Sequence, residues 1–209
     1  MNETFIKVLR SPESKSSILI AGFPGVGEIG SLAAKMLTNS FQADLFAELY
    51  SPTFQDLVFI DKRGICYLPK FEFYYAKKRP DLILLRGNGY PELDDIPGHY
   101  EVSGAILDFV EDLGCRFIIT IDGVVVPLPQ EEIYVAATSK EIASHYVKRG
   151  AHLYRNRRII GLSGLLVGLA AKRGLDGICL LASTPGYKVD RQAALRVYRF
   201  LIDALVGSQ

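Results

Sequence analysis

Apolar positions along the chain follow two alternating rhythms. Short, almost continuous apolar runs bounded by turn residues predict buried strands at Ile18–Ala21, Asp44–Leu49, Leu57–Ile60, Gly64–Leu68, Leu82–Arg86, Phe117–Ile121, Tyr134–Thr138 and Gly177–Leu181. Longer stretches with apolar residues at helical spacing predict helices at Ile29–Asn39, Gly98–Leu113, Ser139–Val147, Leu162–Arg173 and Arg191–Val206. In the second of these, Val102, Ile106, Phe109, Val110 and Leu113 share one stripe; in the last, Ala194, Leu195, Tyr198, Leu201, Ile202 and Leu205 do. Strands alternating with helices predict an α/β domain. Neither a repeat nor a polar linker divides the 209 residues, so one domain spanning 1–209 is expected. The segment 51–80 is richer in strands than in helices, and "GICYLPKFEFYY" predicts a strand pair turning near Pro69-Lys70.

Composition narrows the function classes. Apolar residues make up 49% and charged residues 22% of the chain, which fits a packed globular domain. A net charge of +1 gives no global attraction to nucleic acid, and a nucleic-acid partner is not expected. The apolar runs are too short to cross a bilayer. The start, "MNETFIKVLRSPESKSS", carries charges throughout and no apolar signal core, so no membrane association and a cytoplasmic location are expected. Cys66, Cys115 and Cys179 are odd in number and widely spaced; they predict three reduced thiols, at least two of them in the core, and no metal site.

The turns carry more chemistry than the elements. Glycine or proline follows nearly every predicted strand, in Gly22-Phe23-Pro24-Gly25, Gly87-Asn88-Gly89, Asp122-Gly123 and Thr184-Pro185-Gly186. Along the carboxyl edge of a parallel sheet such turns gather where open α/β folds bind ligands, although tight turns need glycine for backbone reasons alone. Gly25, Gly27 and Gly30 spell the dinucleotide fingerprint G-x-G-x-x-G between a strand and a helix, with Glu48 placed 18 residues further on as a ribose-binding acid would be. Against a nucleotide, Phe23-Pro24 interrupts the approach and Glu28 puts a carboxylate where a pyrophosphate would lie. The phosphate-loop pattern is absent, because Gly30 is followed by Ser31 and not by Lys-Ser/Thr.

"GFPGVGEIGSLAAKML" resembles the opening loop and helix of the PAC2 family, named for proteasome assembly chaperone 2. The resemblance continues in order through "LPKFEFYY", "DLILLRGNGYP", "FIITIDG", "IYVAATS", "IIGLSGLLVGLAAKRGLDGICLLASTPGY" and "VDRQAALRVYRFLIDAL", covering roughly residues 15 to 206. It implies a three-layer α-β-α sandwich of phosphorylase/hydrolase-like type, with a mixed, mostly parallel sheet. It also implies homo-oligomers and a non-enzymatic role in assembling proteasome core particles, with proteasome α subunits as partners and no cofactor. Some descriptions link the family to ATP-grasp enzymes, but no catalytic reaction is established for it. Members that dock on the proteasome can carry a C-terminal hydrophobic-Tyr-any tripeptide. This chain ends Gly207-Ser208-Gln209, so the expected docking uses another surface or a hetero-partner.

Two catalytic readings stand beside this one. Asp122, paired with Asp94, Asp95 or His99, would supply acid–base chemistry at the sheet edge, although Asp-Gly after a strand is also a routine turn. Ser163, in Gly161-Leu162-Ser163-Gly164, resembles a nucleophile elbow whose second glycine comes one residue early; capping of the helix explains it better. Charge is segregated along the chain. Residues 87–115 hold seven acids (Glu92, Asp94, Asp95, Glu101, Asp108, Glu111, Asp112) and no Lys or Arg, and residues 142–175 hold seven Lys and Arg residues (Lys148, Arg149, Arg155, Arg157, Arg158, Lys172, Arg173) and no acid. Complementary faces on one chain predict head-to-tail contacts and a cyclic homo-oligomer of three or more subunits. The aromatics Phe71, Phe73, Tyr74 and Tyr75 are the expected apolar centre of that interface and Arg155, Arg157 and Arg158 its charged rim.

Overall fold

The computed structural model describes residues 1–12, 16–186 and 188–206. Its elements are β1 (Phe5–Val8), β2 (Ser17–Gly22), a 3-10 turn (Val26–Glu28), α1 (Ile29–Ser40), β3 (Asp44–Tyr50), β4 (Phe59–Ile60), β5 (Cys66–Tyr67), β6 (Phe71–Ala76), β7 (Asp81–Gly87), α2 (Ile96–Asp112), β8 (Cys115–Val125), β9 (Ile133–Ala137), α3 (Lys140–Val147), β10 (His152–Leu153), α4 (Leu162–Lys172), β11 (Asp176–Thr184) and α5 (Arg191–Val206). Nine strands form one sheet in the order β1-β3-β6-β7-β2-β8-β11-β9-β10. Its centre, β7-β2-β8-β11, is parallel, and antiparallel pairings extend it through β6, β3 and β1 on one side and β9 on the other. The sheet is therefore mixed, with the parallel strands gathered where both faces are covered.

That coverage explains why "SILIAG" and "ICLLAS" are continuous apolar runs rather than alternating ones. On one face, Leu19, Ala21, Ile83, Leu85 and Ile118 pack under α2 and α4 through Val102, Ile106, Val110, Leu162 and Leu166. On the other, Ile20, Leu84, Ile119, Ile121, Ile178 and Leu180 pack under α1 and α5 through Ile29, Ala33, Leu37, Val197 and Leu201. Burying each such side chain contributes about 1.5–3 kcal/mol before the entropy of ordering it is subtracted. The result is the three-layer α-β-α arrangement.

The segment 51–80 departs from the expected strand pair. β5 turns back onto β4, pairing Phe59 with Tyr67 and Ile60 with Cys66, while β6 enters the main sheet between β3 and β7. The reason lies in β6 itself. Phe71 and Phe73 are fully buried in an aromatic cluster: the Phe71 ring lies 5.2 Å from Phe23 and 5.0 Å from Phe54, and Phe73 lies 6.1 Å from Phe46 and 5.0 Å from Phe109. A bulge at Phe46 turns both Phe46 and Ala47 into this cluster. Phe71 and Phe73 are thus core residues and cannot form the exposed centre of an interface. Tyr74 and Tyr75 are half-buried, and Tyr75 packs edge-on against Phe46. Cys115 and Cys179 are buried, Cys66 is exposed, and all three are free thiols.

Candidate functional site

Three of the four expected turns lie along one edge of the sheet; the fourth, Asp122-Gly123, is no turn, because β8 runs on to Val125 and pairs Asp122 with Leu181 and Gly123 with Ala182 of β11. The glycines of this edge mainly make room for the chain's own backbone. A Cβ on Gly22 would stand 2.0 Å from the Gly30 carbonyl oxygen, and one on Gly30 would stand 2.5 Å from that of Ile121 and 2.9 Å from that of Phe23. Gly22 and Gly30 therefore let the start of α1 press onto the ends of β2 and β8. Gly27, with φ +64°, and Glu28, with φ 54°, turn the chain through the left-handed region into α1. Phe23 is 2% exposed and belongs to the aromatic core, so Pro24, Gly25, Val26 and, in part, Glu28 are the residues of this loop that reach the surface.

The other turns are closed in similar ways. Gly87 lies against the Lys70 carbonyl, and the Asn88 side chain accepts a hydrogen bond from Lys70 N–H at 3.0 Å while Asn88 N–H donates to Lys70 O at 3.1 Å. Gly89 is packed on the Phe54 ring. Thr184 donates to Asp190 at 2.6 Å and accepts from Gly186 N–H, and Asp190 N–H donates to the Gly27 carbonyl at 2.8 Å, tying the turn after β11 to the first loop. Burial raises the Asp190 carboxyl, but hydrogen bonds from Ala193 N–H and the Thr184 hydroxyl, with the nearby Arg196 charge, outweigh it and hold the group below the usual range. Pro185 and Gly186 remain exposed.

Asp122 occupies the middle of this edge. Its Oδ1 lies 3.0 Å from where a Gly25 Cβ would be and accepts from Gly123 N–H at 2.7 Å. Burial raises its carboxyl above the ordinary value, against hydrogen bonds from Gly123 N–H, the Ser163 hydroxyl and Val26 N–H. The carboxylate partners expected for it are elsewhere. Asp95 accepts from Gly98 N–H at the start of α2 and its carbonyl meets the His99 ring at 2.9 Å, while Asp94 is exposed. Ser163 does not cap α4. The cap position is Gly161, and the Ser163 side chain instead turns into the sheet edge toward Asp122, its carbonyl accepting from Thr120 at 2.9 Å. The Tyr90 hydroxyl accepts from Leu162 N–H at 3.2 Å, and burial raises its pKa, with the Asp122 charge adding to the rise. Serine, carboxyl and tyrosine thus meet here, and the expected partner His99 stands edge-on to the Tyr90 ring at 5.4 Å, with its Nδ1 at the Asp95 carbonyl rather than at Asp122. His145 lies on α3 and His152 on β10.

A feature the sequence reading missed lies beside α1. Along the face that carries α1, one cross-strand row pairs Lys7 with Glu48, Glu48 with Glu72 and Glu72 with Arg86. Lys70 pairs with Glu48 and, at 3.1 Å, with Glu72; Arg86 lies 3.7 Å from Glu72 and stacks 4.6 Å over the Tyr74 ring. Burial acts to raise the Glu48 carboxyl, but Lys70 and Tyr50 hold it below the usual range. Lys70, Glu72 and Arg86 of this charged shelf floor a cleft of about 590 Å³ whose other wall is the 3-10 turn, through Glu28, and α1, through Ser31 and Lys35. The sequence did carry a trace of it: in "KFEFYY" the polar residues Lys70, Glu72 and Tyr74 alternate with buried aromatics. Glu48 is therefore three strands away from β2 and engaged with Lys70, not positioned as a ribose-binding acid.

Of the segregated charges, part is spent inside the chain. Arg173 bridges Asp108 at 2.5 Å and Glu111 at 2.9 Å, tying the ends of α2 and α4 together. Arg155, Arg157 and Arg158 are exposed on the loop before α4, with Arg157 5.9 Å over the Tyr154 ring. Tyr146, which precedes Lys148 and Arg149, is buried against Phe200. No helix among the described residues is long and apolar enough to cross a membrane.

Comparison with known proteins identifies relatives over nearly the whole chain. The model of the PAC2 family matches residues 19–208. An uncharacterized protein of Methanocaldococcus jannaschii is 34% identical over 187 residues, which is 88% of this chain and 71% of that protein. The crystal structure of Pyrococcus furiosus PbaB, an archaeal proteasome activator, superposes with a TM-score of 0.92 at 38% identity, covering 99% of this chain and 90% of the other. Pyrococcus furiosus PbaA, an archaeal homolog of proteasome-assembly chaperone, superposes with a TM-score of 0.81 at 24% identity, covering 97% and 82%, and shares the fold.

Proposed function

Because the chain belongs to the PAC2 family, we propose that it is a non-enzymatic proteasome assembly factor that holds core-particle α subunits and acts as a homo-oligomer in the cytoplasm. The observation that supports this most is the match to the PAC2 family model over residues 19–208; the likeness to PbaB, an archaeal proteasome activator, over 99% of the chain supports a proteasome partner. The sheet edge supports it too. Its glycines accommodate backbone, Phe23 is part of the core, and Asp122 faces the fingerprint loop, where a pyrophosphate would meet its carboxyl. A second reading, action on the finished particle, is favoured by one fact: identity is 38% to the activator and 24% to the assembly-chaperone homolog.

Reconstitution separates the two. Purified α and β subunits from the same organism are mixed with and without the chain, and particle formation is followed by native electrophoresis. Faster or more complete assembly supports the first reading. Unchanged assembly with increased peptide hydrolysis by finished particles moves the account to the second. No effect on either sinks both.

A further inference from the structure

We infer that the cleft between α1 and the charged shelf binds a short free-ended peptide of two or three residues. Its carboxylate lies on Arg86, Ser31 and Lys35, and its ammonium group points toward Glu28. The inference stands apart from the two proteasome readings, since neither assigns this cleft a ligand. At about 590 Å³ the cleft has the size of a small-molecule site, which is about 300–1,000 Å³.

Strand register builds the carboxylate end. Arg86 of β7 stands beside Gly22 of β2, and a Cβ on Gly22 would meet the Gly30 carbonyl oxygen at 2.0 Å and the Ala34 side chain at 2.8 Å. The first turns of α1 therefore lie directly over Gly22. They bring Ser31 and Lys35, one helical turn apart on one face, to the cleft that Arg86 also lines. The Arg86 guanidinium is fixed from elsewhere: one terminal nitrogen donates to the Tyr74 hydroxyl at 2.5 Å, and the plane stacks over that ring. Four buried side-chain atoms have no hydrogen-bond partner among the described residues, and two of them, Arg86 Nε and Ser31 Oγ, belong to this cleft. Buried polar groups are rarely left unpaired. A carboxylate accepts from both, and the bond from the guanidinium is charge-assisted.

Charge sets the ligand class. On the shelf, Lys70 and Arg86 are matched by Glu48 and Glu72, so the shelf adds no net charge. The opposite wall carries Lys35 and Glu28, and neither forms an ion pair among the described residues. One cation and one anion are thus unspent. A polyanion would meet Glu28 and Glu72 at close quarters, whereas a dipolar ligand satisfies both free charges. Glu28 and Lys35 are seven positions apart, about 10 Å along the helix at 1.5 Å per residue. Two or three extended residues cover that span at about 3.3–3.6 Å each. Leu32, Tyr67 and Val189 complete the lining and suit apolar side chains on the peptide.

The test is titration calorimetry on the full chain at neutral pH and low salt, with the dipeptide leucylleucine as probe and thermal unfolding as the check that each variant folds. Saturable one-to-one binding is expected. The dipeptide amide, and free leucine, which is too short to reach both charges, should each bind about tenfold more weakly, the scale of one hydrogen bond to a charged group. Ser31→Ala and Lys35→Glu should weaken the dipeptide by a similar factor. Lys35 is exposed, so its variant probes the cleft without disturbing the core. N-acetylation of the dipeptide should weaken binding to the wild type and make no difference in Glu28→Gln, where the partner of the ammonium group is gone. Four results overturn the inference: no saturable binding of leucylleucine at millimolar concentration, equal binding of its amide or of leucine, tighter binding of inorganic phosphate, or unchanged affinity in both Ser31→Ala and Lys35→Glu.

Discussion

Two glycine-bearing regions of this molecule look alike in the sequence and behave in opposite ways. At the sheet edge, Gly22 and Gly30 sit so close to the backbone of neighbouring elements that a methyl group at either would overlap a carbonyl oxygen. In the groove between α2 and α4, Gly168 faces open space and stands among exposed apolar side chains. The first region resembles a nucleotide site and is occupied by its own chain; the second carries no motif and is open. Glycine spacing reports that space was needed, and only the fold tells whether the space is for the protein itself or for another molecule.

Apolar side chains divide the same way. Phe73 is fully buried, whereas Leu93 and Ile160 are almost fully exposed. The largest expected effect follows from this division. Phe73→Asp removes a core ring and buries an unpaired charge, so it should cost about 4 kcal/mol or more and abolish the cooperative urea transition. A folded Phe73→Asp protein would return Phe73 to the surface and break the contrast.

Next in size, Gly30→Ala forces a Cβ to within 2.5 Å of the Ile121 oxygen, with backbone rather than flexible side chain as the obstacle. About 3 kcal/mol of stability should be lost in chemical denaturation. The opposite sign is expected in the groove. Gly168→Ala lies inside α4, meets nothing and gains helix propensity, so it should stabilise by up to about 1 kcal/mol. Equal losses at Gly30 and Gly168 would erase the distinction drawn between them.

The smallest effect concerns the carboxyl at the edge. Asp122 has its pKa raised in the folded state by burial, so the folded chain binds its proton more tightly than the unfolded chain does. The residue therefore costs stability progressively as pH rises from its unfolded value of 3.8 through the raised folded one. Asp122→Asn should unfold at the same temperature as the wild type below that window and about 1–3 °C higher above it. A variant less stable at neutral pH than in acid, relative to wild type, would show that hydrogen bonds to the carboxylate outweigh its burial.

Much of the fold could be read directly. Helices α1, α2, α4 and α5 lie within about two residues of the stripes of apolar positions that predict them, because each buries one strong face against the sheet. The central strands were equally clear as continuous apolar runs. β1, with the pattern "FIKV" and mostly exposed, and β10, with two exposed residues, gave no such pattern and exist only through their pairing with β3 and β9. Pairing is also why 51–80 was misread: "GICY" and "KFEFYY" are adjacent in the chain, but they belong to different sheets, and a local pattern does not choose partners. At the site, glycine marks three of the edge loops, whereas Asp122-Gly123 lies within β8, whose pairing with β11 carries the strand past the glycine. Closure of the loops depends on contacts such as Asp190 with Gly27, far apart in sequence. The shelf of Glu48, Lys70, Glu72 and Arg86 was missed because strands β3, β6 and β7 had first to be placed side by side. The α2–α4 groove leaves no local pattern, because its walls at 93–100 and 159–168 are far apart in the chain.

The most direct test of the central claim is recovery of the chain's partners from the native organism. The tagged chain is expressed at natural levels, captured in low salt and analysed by mass spectrometry. Proteasome α subunits are expected among the recovered proteins, enriched when core-particle assembly is stalled. A folded chain that captures no proteasome subunit under these conditions contradicts it.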